Sequence, residues 1–149
     1  MRSQKFVRVY YQNVRGLRTK TSEFLSNVLS SDADVIALSE TWLNDDIHCN
    51  ELFDKSYTVY RADRDLSCTT KTDGGGCLLA VKSKYFSYRL SDWEVTDQDV
   101  WVSIEKCDGG RLIVNAKYIN CNSTLEEYKV HFKRIELLML SLPAANCYC

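Results

Sequence analysis

The chain has a single proline, Pro143, and only two histidines, His48 and His131. It has no Cys-x-x-Cys pair, so neither a zinc ribbon nor a thioredoxin-like redox site is supported. It has no surplus of charge: 19 basic against 20 acidic residues leave a formal charge of -1. Bulk electrostatics therefore gives no argument for nucleic-acid binding, although a local basic patch remains open. No apolar run is long enough to span a membrane. The opening Met-Arg-Ser-Gln-Lys-Phe lacks the apolar centre of a signal peptide, which makes an intracellular location, nuclear or cytoplasmic, the expectation. Repeats and low-complexity segments are absent, and no domain boundary is visible.

What is there suits one globular domain. A length of 149 residues suffices for a real core, and 45% hydrophobic with 26% charged residues is ordinary for a globular protein. The seven cysteines are odd in number and irregular in spacing. Cys77 sits in an apolar run and reads as a small core residue. Cys147 and Cys149 close the chain as Cys-Tyr-Cys, which reads as a frayed tail before it reads as a metal-binding pair.

The stretch Asp34-Val-Ile-Ala-Leu-Ser-Glu-Thr-Trp-Leu43 organises the rest. Four unbroken apolar residues, Val35 to Leu38, predict a strand buried on both faces in mid-sheet. Glu40 follows where that strand would surface. Ligands collect at the carboxyl ends of strands in open α/β sheets, so Glu40 is a candidate to hold a metal ion or a proton. The plain alternative is a solvated loop glutamate.

Before it, Phe6, Val7, Val9, Tyr10 and Tyr11 predict an opening strand that ends at Gln12-Asn13. A loop with Gly16 follows, then an amphipathic helix over about residues 22–29 with Thr21 or Ser22 as its cap. Such a β-loop-α-β unit makes parallel strands with a covering helix. Residues 42–55 read as irregular and acidic, 57–61 as a short strand, and 63–73 as a polar, mobile loop. Gly74-Gly-Gly76 leads into a buried strand over 77–81, and 85–90 is a further candidate strand. Residues 100–105 and 111–118 predict a hairpin across the Asp108-Gly109 turn signal. Ser123-Thr-Leu-Glu126 reads as a capping box for a long helix, with Leu125, Tyr128, Phe132, Ile135, Leu138, Met139 and Leu142 at helical spacing and Pro143 as its stop.

These residues resemble the endonuclease/exonuclease/phosphatase superfamily, the DNase I-like group, and within it the endonuclease domain of insect non-LTR (LINE-like) retrotransposon polyproteins. The strings that carry the resemblance are Tyr11-Gln-Asn-Val-Arg-Gly-Leu17, Ala37-Leu-Ser-Glu-Thr-Trp-Leu43, Tyr60-Arg-Ala-Asp-Arg64, Gly74-Gly-Gly76 before a strand, and Val114 to Tyr118, in family order. The resemblance implies an α/β (α+β) fold, a four-layer α/β/β/α sandwich incomplete at its C-terminal side, as a single truncated domain over residues 1–149. It implies metal-dependent phosphodiester hydrolysis of DNA with Mg²⁺ or Mn²⁺, and, in an intact element, a partner reverse transcriptase domain and the remaining half of the endonuclease. It assigns Glu40 as metal ligand, Asn13 as the amide near metal and phosphate, and Tyr118 as the contact to the scissile phosphate.

The chemistry of those side chains agrees. A hard cation takes oxygen ligands and needs only one or two carboxylates besides water and phosphate. An amide can bond a phosphate oxygen or orient a carboxylate, and a phenol can donate to a developing oxyanion. Asn13 also reads as a plain turn former and Tyr118 as a half-buried strand residue. Where relatives commonly have proline after this tyrosine, Ile119-Asn-Cys-Asn122 follows here. Arg15, Arg18 and Lys20 could touch a DNA backbone or be ordinary surface charge.

The family also uses an Asp-x-Asn pair and a later Asp-His pair, and neither occurs here. His48 lies in an acidic stretch and His131 on the long helix, so the family's general base is not supplied. The expectation is weak metal binding, an open and aggregation-prone edge, and no catalysis by this chain alone. A non-catalytic remnant, or a module that binds DNA or protein, is the alternative.

Overall fold

The computed structural model describes residues 6–68 and 74–142. Pro143, the terminal cysteines and the end of the 63–73 loop, for which expectations were stated, lie outside the described residues. The chain divides into two units, Met1–Tyr118 and Ile119–Cys149.

The first unit is built on two sheets. Strands β1 (Val9–Asn13), β2 (Val35–Ser39), β3 (Tyr57–Ala62) and β4 (Cys77–Lys82) form one, in the order β1-β2-β4-β3. Strands β5 (Phe86–Arg89), β6 (Asp99–Glu105) and β7 (Arg111–Lys117) form the other, in sequence order. As its unbroken apolar run implies, β2 is buried at every position and lies between two partners. It runs parallel to β1, with Val9 opposite Val35 and Asn13 opposite Ser39, and antiparallel to β4, with Ser39 opposite Cys77. The crossover from β1 to β2 carries helix α1 (Thr21–Leu29), as a parallel pair requires.

Alternation along the strands sorts side chains into two cores. Val35, Ala37, Cys77, Leu79 and Val81 face Val100, Val102, Ile104 and Ala116 between the sheets. Ile36, Leu38, Leu78 and Ala80 face the other way, toward Val28 and Phe24 of α1. Each fully buried aliphatic side chain contributes about 1.5–3 kcal/mol of transfer free energy. Residues 6–118 thus supply three layers: α1 and two packed sheets.

Four local expectations need correction. The opening strand begins at Val9, two residues past Val7, and Phe6 is exposed. Neither Thr21 nor Ser22 caps α1: the N-cap is Lys20, which makes no side-chain cap. The turn closed by the Lys20 N–H on the Leu17 carbonyl (2.9 Å) runs straight into the helix, so both hydroxyl residues fall inside its first turn. Third, the stretch 42–55 is no simple acidic loop. It holds a one-turn 3-10 helix, Cys49–Glu51, and buries Leu43, Leu52 and Phe53 against the α1 side of the sheet. Phe53 meets Phe24 edge-on at 5.5 Å, and Arg61 ties the stretch down by donating to the Ile47 and Asn44 carbonyls. Its apolar residues follow no period, which hid them among the charges.

The fourth correction lies in the second unit, described by itself. Helix α2 (Leu125–Ser141) is capped one residue later than expected, by Thr124 with Glu127 rather than Ser123 with Glu126. The Thr124 hydroxyl accepts the Glu127 N–H at 3.3 Å, and the Glu127 carboxylate accepts the Thr124 N–H at 2.6 Å. Both registers offer a hydroxyl followed by a glutamate, and the residue that takes extended backbone, Thr124 at φ -73°, ψ 159°, becomes the cap.

Candidate active site

Strands β1 and β2 end side by side, and the chain beyond each continues the ladder. The Val14 N–H donates to the Ser39 carbonyl at 3.0 Å, Gly16 to Glu40 at 2.8 Å, and Leu17 to Thr41 at 2.9 Å. From the other side Thr41 donates to the Gly76 carbonyl at 3.3 Å and Trp42 to Gly75 at 3.1 Å. The segment Glu40-Thr41-Trp42 is therefore clamped between the loop after β1 and the glycines before β4.

This corner is strained. Among the described residues, the non-glycine positions with positive φ are Arg15 (47°), Glu40 (53°) and Trp42 (54°), and all three belong to it. A bulky residue in the left-handed region costs about 1–3 kcal/mol, and such residues persist where surrounding contacts over-determine them. Gly16 is one such contact. A Cβ there would stand 2.6 Å from Cε3 of Trp42, so the indole lies directly on the Gly16 backbone. The Thr41 hydroxyl is buried beside Glu40 with no hydrogen-bond partner among the described residues, a further cost of about 1–3 kcal/mol.

The three residues singled out in the sequence come to one end of the two sheets. Asn13 is exposed at the tip of β1, level with Ser39 and one residue from the register of Glu40. Its Oδ1 accepts the Arg15 N–H at 3.2 Å, so Asn13 does form the local turn. A second lone pair on that oxygen remains for another donor or a cation. Glu40 is half-buried at the kink. Tyr118 directly follows β7 in the other sheet, half-buried, and its N–H donates to the Gln98 carbonyl at 3.1 Å.

Gln98 is the residue sequence reasoning missed. Its Oε1 accepts the Gly76 N–H at 2.9 Å, while Gly76 holds Thr41. Gln98 thus contacts both the glycines beside the Glu40 corner and the backbone of Tyr118 in the other sheet. No motif marked it, because a lone glutamine before a strand carries no pattern. Also unforeseen is the polar group beside it: buried Asp99 accepts from Asn115 Nδ2 at 2.7 Å, the Val95 N–H at 3.2 Å and Lys117 Nζ at 3.3 Å. Burial pushes the Cys77 thiol up to about 12, with the Asp99 charge adding to the effect, and its Sγ donates to the Ala116 carbonyl at 3.1 Å. Cys77 is a core thiol, as its apolar context implied, and not a nucleophile.

For a metal, the donor chemistry is a carboxylate at Glu40 and an amide oxygen at Asn13. Among the described residues no group of three His, Cys, Asp or Glu converges as an all-protein cage. That set fits a hydrated hard cation, which keeps most of its waters and takes one or two protein oxygens, and fits no soft or structural metal. His48 is exposed, and its backbone N–H donates to Glu51 Oε1 at 2.9 Å. Among the described residues no helix is long and apolar enough to cross a membrane.

The sequence pattern of the Endonuclease/Exonuclease/phosphatase family matches residues 11–146, and the chain belongs to that family. Its fold is that of DNase I-like endonucleases. The endonuclease domain of TRAS1, a telomere-specific non-LTR retrotransposon, superimposes with a TM-score of 0.61 at 14% identity over 90% of this chain and 54% of that one. The AP endonuclease LMAP from Leishmania major gives 0.57 at 16% identity over 89% and 45%. An AP endonuclease from Archaeoglobus fulgidus gives 0.57 at 14% over 93% and 53%. The chain therefore spans about half the length of these solved relatives. No protein of curated function matches it in sequence.

Proposed function

We propose that this chain carries the metal- and phosphate-binding half of a DNA endonuclease domain of retrotransposon origin, with Mg²⁺ or Mn²⁺ as its ion. In this reading Glu40 holds the ion with help from Asn13, and Tyr118 donates to a phosphate oxygen of duplex DNA. The observation that carries it is the strained corner at Glu40, flanked by Asn13 and tied through Gln98 to Tyr118. Family membership supports phosphodiester chemistry, and the likeness to the TRAS1 endonuclease domain supports a retroelement context; duplex DNA as substrate and a reverse transcriptase as partner follow from the family resemblance of the sequence. A bound cation would neutralise charge on the scissile phosphate.

Hydrolysis also needs a base for the attacking water, and neither His48 nor His131 supports that role, since one stands in an acidic turn and the other on α2. In this reading the residues assigned here serve binding of metal and phosphate, and no residue is assigned as the base. A second reading, a non-catalytic binding module, draws on β1, an edge strand with Val9, Tyr10 and Tyr11 exposed.

The test is duplex-DNA binding by fluorescence anisotropy with and without Mn²⁺, alongside nicking of supercoiled plasmid, for the chain and its Glu40→Ala variant. Binding strengthened by Mn²⁺ in the parent and not in the variant, without nicking, is the expected result. Equal, metal-independent binding by both would sink the metal reading in favour of the binding module. Nicking that vanishes in Glu40→Ala would mean another residue of this chain serves as base.

A further inference from the structure

We infer that Gln98 is a positioning residue for the Glu40 metal site, holding that corner at a set position relative to Tyr118. The inference rests on the metal reading above. Gln98 is half-buried just before β6, outside every motif that marked the site. Its side chain and its backbone act on different sheets. Oε1 accepts the Gly76 N–H at 2.9 Å, and its carbonyl accepts the Tyr118 N–H at 3.1 Å.

The first of these bonds fixes the glycine segment against which Glu40 is set. Gly75 and Gly76 accept the Trp42 and Thr41 N–H groups at 3.1 and 3.3 Å. Those residues immediately follow Glu40, and Glu40 and Trp42 both hold left-handed backbone beside that clamp. The approach is close enough to demand glycine. At Gly75, with φ 71°, a Cβ would stand 1.9 Å from Gln98 Oε1 and 3.0 Å from its Cδ. An amide is suited to this task. It accepts from the glycine N–H without adding a charge that would compete with Glu40 for a cation or repel a phosphate.

Removing the acceptor leaves the Gly76 N–H unpaired and frees the clamp, so the left-handed residues relax toward ordinary backbone. A carboxylate loosened in this way holds a cation less well, because outer partners of a ligand typically govern about 10–100-fold in metal affinity.

The experiment is a Mn²⁺ titration of the full chain, followed by paramagnetic broadening of amide resonances near Glu40. It is run on the parent, Glu40→Gln, Gln98→Leu, Gln98→Glu and Leu112→Ala, the last a control packed between the sheets and remote from the site. Gln98→Leu is expected to need about tenfold more Mn²⁺ for half-broadening. Leu112→Ala should lose thermal stability with its titration unchanged. Gln98→Glu, which keeps the acceptor, should restore the Gly76 and Tyr118 amide shifts that Gln98→Leu displaces. Should Gln98→Leu titrate like the parent while Glu40→Gln does not respond, the positioning role is overturned and the metal reading stands. Should Glu40→Gln titrate like the parent, the metal reading fails and this inference falls with it.

Discussion

Asn13 stands opposite Ser39 in the parallel β1–β2 ladder, so the side chain at the tip of one strand is level with the last residue before Glu40 on the next. Parallel strands that end together give an amide and a carboxylate a common exit. Asn13→Ala removes the amide oxygen and the turn bond to Arg15 together. It should weaken Mn²⁺ binding about tenfold, whereas Asn13→Asp, which keeps the turn acceptor and adds charge, should bind as well or better. Titration calorimetry with Mn²⁺ measures both. Unchanged binding in Asn13→Ala would remove Asn13 from the site and leave it a turn former.

Gly16 tests the strained corner from its other side. At φ 93°, with a Cβ position 2.6 Å from the Trp42 ring, Gly16→Ala has neither backbone freedom nor room. It should lose about 2 kcal/mol of stability and shift Trp42 fluorescence. Chemical denaturation checks the first effect and emission spectra the second. A stability unchanged from the parent would mean that the ring swings aside at no cost.

Cys77 differs from the surface thiols. With its thiol held near 12 by burial, it should resist iodoacetamide at about pH 8, while exposed Cys107 and Cys121 are modified. Mass spectrometry of the digested protein reads this directly. The same shift bears on alkaline stability. The unfolded thiol, near 9.0, loses its proton before the folded one does, so stability falls as pH rises from about 9 toward 12. Cys77→Ala should shallow that fall, and identical alkaline melting curves would contradict it.

Asp34 contributes on the acid side. It is almost fully buried, and burial alone would raise its carboxyl. The Arg8 N–H at 2.9 Å and Lys84 Nζ at 2.6 Å outweigh that and hold it below its ordinary 3.8. A depressed carboxylate stabilises the fold fully above 3.8, and the contribution is lost as pH falls through its lower folded value. Asp34→Asn should cost about 1–3 kcal/mol near neutrality, with Lys84, itself half exposed, regaining solvent. The variant's Tm should then change less than the parent's between about pH 5 and pH 3. A variant as acid-sensitive as the parent would place the acid limb elsewhere.

Local pattern alone identified β2, β4 and the β6–β7 hairpin, because unbroken apolar runs and an Asp-Gly turn are properties of neighbours in the chain. The hairpin turn closes as that dipeptide implies, with the Lys106 N–H on the Gly110 carbonyl at 2.7 Å and Gly110 donating to Asp108 at 2.8 Å. The position of Glu40 at the end of β2 was legible for the same reason, as an acid directly after a buried run. Where two registers were chemically equivalent, as at Ser123 and Thr124, sequence did not choose between them.

Only the tertiary structure decided the rest. The order β1-β2-β4-β3 puts Gly75 and Gly76 against the residues after Glu40, and no local signal encodes that neighbour. The left-handed backbone at Arg15, Glu40 and Trp42 violates local preference, and long-range hydrogen bonds hold it. The link from Gln98 to Gly76 spans 22 residues and two sheets. It exists because packing brings the start of β6 to the start of β4. Local preference is written residue by residue, whereas a contact between two sheets is set by how their faces meet.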